Sequence, residues 1–239
     1  ENVQILSSNL VQNPSFSEEG SEEVSNGSFS QEGSELTTNG DFSNGITGWT
    51  TSGGNPTTVL NGTATVPSGS YIFQSSGIPA STQVKFVVEG TGKVRYRLGT
   101  AEGYSEQIDM PFTLYVPTQS SGTRVQLQNP SGGDVTITNV SLKEVGQDWT
   151  LNTGWSIGED KAVANTTGGV LSQSISFVSG KTYKINYEII VNSGALFTQT
   201  NLQSVRTITT SGQYVDYITV TTDNVLRFNG NDGSPFNGS

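Results

Sequence analysis

Cysteine and histidine are both absent from this sequence of 239 residues. Without cysteine the chain cannot form disulfide bonds, thiolate metal sites or a cysteine nucleophile. Without histidine it lacks the side chain that most often serves as acid–base catalyst and metal ligand near neutral pH. Sites built from oxygen ligands, such as those that bind calcium, are the metal class that the composition still permits.

Positive charge is also scarce, because 11 Lys and Arg stand against 21 Asp and Glu and the net charge is −10. A protein that binds nucleic acid needs a basic patch or stripe, and the few cations here are scattered along the chain. No apolar run approaches the roughly 20 residues of a membrane-spanning helix. We therefore expect no nucleic-acid partner and no membrane insertion.

Glycine is abundant, with 29 residues, while hydrophobic residues make up only 32% of the chain. This composition is typical of a β protein with many turns, and strand-like segments recur at about the 8–12-residue spacing of a sandwich or barrel. The sequence predicts an all-β protein with two tandem antiparallel β-sandwich (jelly-roll) domains, at residues 36–145 and 146–239. The second domain is predicted to lack its last strand, because the strand pattern stops after residues 225–229.

A short phrase is repeated near the start, at Asn13-Pro-Ser-Phe16, Asn26-Gly-Ser-Phe29 and Asn39-Gly-Asp-Phe42, with a period of 13 residues. Residues 1–35 also carry seven Glu and no Lys or Arg, so this segment is too polar to fold alone. We expect an extended acidic arm whose strand-and-turn units pair with other chains or lie on a domain surface. Phe16 and Phe29 are its predicted assembly contacts.

The stretch from Leu36 to Trp49 and the later Ile137-Thr-Asn-Val-Ser-Leu142 resemble the opening and closing strands of jelly-roll modules related to carbohydrate-binding families. The junction between the two domains is similar to that of tandem modules in bacteriophage virion proteins. The resemblance implies a non-enzymatic virion protein (a fibre, tail or capsid-decoration subunit) that acts by assembly with other virion subunits. It would be a homo-oligomer, trimeric if it is a fibre, and could also attach to host-surface glycans. The alternative is a glycan-binding module pair of a secreted or cell-surface protein.

The resemblance also implies sites, because related modules hold sugars on a concave face with aromatic, Arg and Gln side chains. The matching candidates in this chain cluster around one basic strand and are Arg95, Tyr96, Arg97, Tyr104 and Gln107. The competing interpretation is an ordinary solvated sheet face.

Related modules often hold a structural calcium between their first and last strands. Asp41 and Asn139 are the corresponding candidates, although Asn139 stands where the family commonly has an acidic residue. No other cofactor is expected. No acid lies in a recognisable catalytic motif, so we expect no enzymatic activity.

Trp49 and Trp155 each follow a glycine near the start of a predicted domain. Either tryptophan could stack on a sugar ring, but aromatic burial dominates sandwich cores, so the sequence favours two core residues.

Overall fold

The computed structural model describes residues 18–75, 79–80, 82–99, 103–118, 124–130, 132–166, 169–200, 203–221, 224–230 and 235–239. Regular structure in these ranges consists of 22 β-strands. None of the described residues forms a helix long and apolar enough to cross a membrane. Phe16 and the first copy of the repeated phrase lie outside the described residues.

The first sandwich contains eleven strands. They are β1 (Glu32–Glu35), β2 (Thr50–Ser52), β3 (Thr58–Leu60), β4 (Thr63–Val66), β5 (Tyr71–Ser75), β6 (Gln83–Thr91), β7 (Lys93–Leu98), β8 (Ile108–Asp109), β9 (Phe112–Pro117), β10 (Arg124–Gln128) and β11 (Val135–Val145). One sheet has the order β3-β4-β11-β6-β9, with β1 also paired to β11, and the other has the order β2-β5-β10-β7-β8. All described pairings of these strands are antiparallel.

The two sheets enclose a core built from alternate residues of each strand. On β6, for example, Val84, Phe86 and Val88 are fully buried, while the residues between them are more exposed. This alternation follows from the two-residue period of a strand, which turns successive side chains to opposite faces of the sheet.

The second sandwich also contains eleven strands. They are β12 (Thr150–Leu151), β13 (Trp155–Gly158), β14 (Lys161–Thr166), β15 (Val170–Ser174), β16 (Thr182–Ile189), β17 (Val191–Ser193), β18 (Leu196–Thr200), β19 (Gln203–Ile208), β20 (Gly212–Thr219), β21 (Val225–Gly230) and β22 (Phe236–Gly238). Its sheets have the orders β12-β15-β21-β18-β19 and β13-β14-β22-β17, and β16 pairs with β20 as a separate ribbon. The predicted all-β class with tandem sandwiches is confirmed.

The structure corrects the prediction that the second sandwich lacks its last strand, because β22 fills the first part of that place. No described strand pairs with β16 as the rest of β11 pairs with β6. Phe236 on β22 is fully buried, and the strand pairs with β14 and β17 as β11 pairs with β4 and β6. The sequence pattern hid this strand because it has only three residues, two of them small or polar.

The third copy of the repeated phrase opens the first sandwich. Asn39 and Phe42 both have positive φ angles, of 52° and 53°, and the Phe42 N–H donates to the Asn39 carbonyl oxygen. The indole N–H of Trp49 donates to the same carbonyl at 3.0 Å, and the Phe42 and Trp49 rings lie 5.5 Å apart. The Gln74 amide on β5 forms two hydrogen bonds with the Thr38 backbone, at 2.7 and 2.9 Å.

The second copy forms the same contacts with the second sandwich. Asn26 and Phe29 have φ angles of 48° and 56°, and the Trp149 indole N–H donates to the Asn26 carbonyl oxygen at 3.1 Å. The Phe29 and Trp149 rings lie 5.0 Å apart. The Gln173 amide on β15 forms two hydrogen bonds with the Ser25 backbone, at 2.9 and 2.7 Å. The second sandwich is therefore opened by residues that precede the first one.

Of the two alternatives for the segment 1–35, its described part takes the second and lies on the domain surfaces, since Val24 and Phe29 pack against the second core and β1 pairs with β11. The expectation for the tryptophans changes. Trp149, and not Trp155, is the structural counterpart of Trp49. Trp155 is a core residue beside Phe236, with ring centroids 6.2 Å apart.

Candidate functional site

The outer face of the β2-β5-β10-β7-β8 sheet carries a group of aromatic, arginine and glutamine side chains. The strand period turns Ile72, Val125 and Leu127 into the core, so the residues between them face outward. Strand pairing places Gln126 of β10 between Phe73 of β5 and Arg97 of β7. The set that shares this face, called the arginine face below, is Tyr71, Phe73, Arg95, Arg97, Arg124, Gln126 and Gln128, with Tyr104 beside it.

Guanidinium groups lie over aromatic rings at two places on the arginine face. The Arg124 guanidinium carbon is 4.0 Å from the centre of the Phe73 ring, and that of Arg97 is 5.1 Å from the centre of the Tyr104 ring. Both distances are within the range of a cation–π interaction. These contacts hold two long, flexible side chains in place on the sheet surface.

Gln126 lies at the centre of the arginine face and is only 1% exposed. Its side-chain oxygen accepts a hydrogen bond from Arg97 Nη2 at 2.7 Å, and its Nε2 donates to the Tyr104 hydroxyl. Since a buried amide fixes both partners, Arg97 and Tyr104 keep a defined orientation. Burial is the main cause that raises the pKa of Tyr104, and the Arg97 charge opposes it.

The three arginines of this face lack a carboxylate partner among the described residues, where the ion pairs involve other side chains. The Nε atoms of Arg95, Arg97 and Arg124 are also shielded from solvent and have no hydrogen-bond acceptor among the residues that the structure describes. A guanidinium fork suits the paired oxygens of a carboxylate or sulfate. The face can therefore accept an anionic group beside a ring surface suited to an apolar or sugar-like face.

The structure brings three of the five sequence-predicted glycan residues together. Arg95 and Arg97 lie on the arginine face, and Tyr104 lies beside it. Tyr96 does not, because it points inward and packs edge-on against Phe86 with ring centroids 5.4 Å apart. Burial raises the pKa of Tyr96. Gln107 is exposed and lies one residue before β8.

Sequence reasoning missed Tyr71, Phe73, Arg124, Gln126 and Gln128. A signal was present, since β5 and β10 both alternate apolar residues with aromatic, charged or amide side chains. The sequence does not show that β10 lies between β5 and β7, because this pairing joins segments that are distant in the chain.

The surroundings of Asp41 do not fit a structural calcium, which needs six to eight oxygen ligands. The Asp41 Oδ1 atom already accepts hydrogen bonds from the Ser43 N–H and hydroxyl, at 3.2 and 2.9 Å, and these bonds lower the pKa of Asp41. Asn139 pairs with Glu89 on β6. No group of three or more acidic residues suited to a metal exists among the described residues.

Comparison with known proteins gives little further information. No protein-family model matches the chain, and no curated protein does either. Among solved structures, the chain is similar to the N-terminal tandem of two CBM22 domains of Xyn10C from Paenibacillus barcinonensis. The identity is 10%, the match covers 87% of this chain and 89% of that one, and the TM-score is 0.32. A likeness at this level carries no argument about function.

Proposed function

We propose that this protein is a non-enzymatic carbohydrate-binding protein, and that the arginine face binds acidic sugars such as uronic acids. The observation that carries the proposal is the absence of a carboxylate partner for Arg95, Arg97 and Arg124 in the described chain, although the protein is strongly acidic overall. Sugars bind proteins through stacking on aromatic rings and through hydrogen bonds to fixed polar groups. Tyr71 and the amide of Gln128 supply these elements beside the guanidinium groups.

The test is isothermal titration with a galacturonic-acid oligosaccharide and with the same oligosaccharide after reduction of its carboxyl groups. We expect the acidic form to bind more tightly, and we expect its affinity to fall with salt, since the attraction is between charges. Arg124→Ala removes a guanidinium that stacks on Phe73 and should weaken binding by about tenfold or more, equivalent to one charge-assisted contact.

Arg227→Ala is the matched control. Arg227 on β21 of the second sandwich has the position that Gln126 on β10 has in the first sandwich. Arg227 lies opposite Gln199, and Gln126 lies opposite Arg97. This substitution removes the same charge from the equivalent sheet of the other sandwich and should leave the affinity unchanged. Equal loss in both variants, or equal binding of the acidic and the reduced oligosaccharide, would mean that the arginine face is not the site.

The expectation of a phage virion subunit, homo-oligomeric and assembled with other virion proteins, stays a prediction. Its test is light scattering on the full chain and on a chain without residues 1–35. That truncation also removes the contacts of Phe29 and β1 with the two sandwiches. A loss of assembly therefore counts only if the monomer stays folded, which circular dichroism will show.

A further inference from the structure

The two sandwiches of this chain contact each other through the outer face of β6 and β9 and through the β13–β14 hairpin. Tyr115 of β9 packs against the second core, and a Cβ atom at Gly158 of β13 would lie 3.8 Å from its ring. The Gln83 side chain on β6 accepts a hydrogen bond from the Ile157 N–H of β13 at 3.4 Å. The first sandwich therefore supplies a sheet face to this contact, and the second sandwich supplies a hairpin.

The β16–β20 ribbon presents the equivalent face in the second sandwich. Strand pairing places Lys85 of β6 opposite Tyr115 of β9, and it places Lys184 of β16 opposite Tyr217 of β20. Each lysine also forms an ion pair with a glutamate of an opening segment, with an N–O distance of 2.5 Å in both cases. Tyr217 is therefore the counterpart of Tyr115.

Tyr217 is far more exposed than Tyr115. Tyr217 is 69% exposed, and Val215, two residues before it on the same outer face, is 49% exposed. Tyr115 is half-buried, because the hairpin of the other sandwich lies against its ring. The outer face around Val215 and Tyr217, called the Tyr217 face below, thus presents apolar surface where the first sandwich has a docked hairpin.

The β3–β4 hairpin of the first sandwich, called the Leu60 hairpin below, is the counterpart of the β13–β14 hairpin. Both hairpins lie at the edge of their sheet, and the second strand of each pairs with the closing strand, β11 or β22. Both have a two-residue turn with positive φ angles, at Asn61-Gly62 and at Glu159-Asp160. Leu60 stands directly before the first turn, as Gly158 stands before the second, and Leu60 is 73% exposed.

A single exposed hydrophobic residue is common on a protein surface and needs no explanation. Here, however, the two most exposed large hydrophobic residues of the described chain, Leu60 and Tyr217, occupy the two halves of a contact that the molecule already forms once. The first sandwich uses its sheet face and leaves its hairpin exposed, whereas the second uses its hairpin and leaves its sheet face exposed. The two exposed surfaces are therefore complementary, and every copy of the chain carries both.

We propose that the Leu60 hairpin of one molecule docks on the Tyr217 face of a second copy of this chain. The β3–β4 ladder has three residue pairs where β13–β14 has four, so the Leu60 side chain reaches the Tyr217 ring, whereas Gly158 meets Tyr115 with its backbone. Each copy gives a hairpin to one neighbour and a face to the other. The contact is thus head-to-tail and continues into a ring or an open chain of molecules. This proposal does not depend on the arginine face.

The contact between copies is expected to be weak. Within one chain, the short junction at residues 146–148 holds the two halves of the internal contact at an effective concentration on the order of 1 mM. Separate copies therefore need a protein concentration of about 0.1–1 mM to join. The net charge of −10 makes the copies repel each other, so added salt should strengthen the association. This response is opposite to the one expected for an acidic sugar on the arginine face.

The test is sedimentation velocity of the 239-residue chain at concentrations up to about 1 mM. We expect species larger than the monomer in the wild type. Leu60→Asp and Tyr217→Asp should each remain monomeric, because each places a charge in an apolar contact, and the fold should be unaffected since both residues are exposed. Val178→Asp is the matched control, because Val178 is 50% exposed and lies outside both surfaces, so this variant should associate as the wild type does.

A mixture of the two charged variants distinguishes a head-to-tail contact from a symmetric one. The Leu60→Asp chain keeps its Tyr217 face and the Tyr217→Asp chain keeps its Leu60 hairpin, so an equimolar mixture should form dimers and nothing larger. A wild type that stays monomeric, a mixture that stays monomeric, or association of either variant alone overturns the proposal. Equal loss of association in all three variants also overturns it, because the added charge and not the contact is then the cause.

Discussion

Strands β6 and β16 occupy equivalent places in the two sandwiches, yet their inward side chains are covered to different extents. Val84, Phe86 and Val88 are fully buried because β11 and β9 flank β6, whereas Tyr183, Ile185 and Tyr187 are half-buried beside one partner strand. The opening segment nevertheless docks in the same way on both sandwiches. Docking of the Asn–Phe turn therefore depends on the local tryptophan and glutamine contacts and not on a complete closing strand.

The outer faces of the equivalent sheets differ as well. The positions of Arg124 and Phe73 in the first sandwich correspond by register to Val225 and Ser172 in the second. The same framework thus carries a cationic aromatic face in one domain and a mostly uncharged one in the other. The fold requires the inward-facing residues, whereas a binding surface depends on the outward-facing residues, which differ between the two domains.

The largest effect that tests this comparison is expected from Phe42→Ala. Phe42 is 1% exposed, so its removal should destabilise the first sandwich by about 3–5 kcal/mol. Phe29→Ala should destabilise the second sandwich by roughly half as much, because Phe29 is only partly buried. Hydrogen exchange in β10 and β21 measures the two sandwiches separately. Identical losses would mean that the lower burial of Phe29 does not weaken the docking of its turn.

A smaller effect is expected from replacing the two glutamines that bind the backbone of the opening turns. Gln74→Ala removes three hydrogen bonds to backbone groups and Gln173→Ala removes two, and each substitution should cost about 1–3 kcal/mol in urea denaturation. We expect the exchange of residues 38–42 to increase in the first variant and that of residues 25–29 in the second. An effect of either substitution on the other sandwich would contradict independent docking.

The stability of the second sandwich should depend on alkaline pH because of Tyr187. Burial, and next the hydrogen bond to Asp216, raise the pKa of Tyr187 to about 12. Because the folded-state pKa is above the unfolded value of about 10, this group stabilises the fold fully below pH 10. The contribution should be lost as the pH rises towards about 12. Unfolding followed at β21 in wild type and in Tyr187→Phe measures it, and an unchanged pH profile in the variant would contradict the assignment.

The smallest effect is expected from the acidic residues of the opening segments. Lys143 and Lys85 lower the pKa of Glu32, so its ion pairs stabilise the fold above about pH 4 and are lost as the pH falls through the lowered value. Glu32→Gln should cost below about 1 kcal/mol, as for other partly exposed pairs. Glu19→Gln should cost less, because Glu19 holds a single described lysine. Thermal unfolding of both variants at low and high salt measures these losses of stability. A larger loss in Glu19→Gln than in Glu32→Gln would contradict the prediction.

Much of the framework could be predicted from the sequence, because strand alternation and turn residues are local signals. The alternation of β7 also contained the correct position of Tyr96, which shares a face with Val94 and Leu98 and not with the arginines. The docking of Asn26 on Trp149 could not be predicted, because 123 residues separate them and no local pattern links such distant segments. The arginine face depends in the same way on the pairing of β7 with β10.

This separation between Asn26 and Trp149 has a consequence for the newly made chain. The second sandwich is discontinuous in sequence, with the whole first sandwich inserted between its opening turn and the strands that hold it. At a synthesis rate of about 5–20 residues per second, the opening turn waits roughly 6–25 s for Trp149 to be made. The opening turn therefore has no docking partner until the first sandwich has been synthesised, and the second sandwich can close only after that.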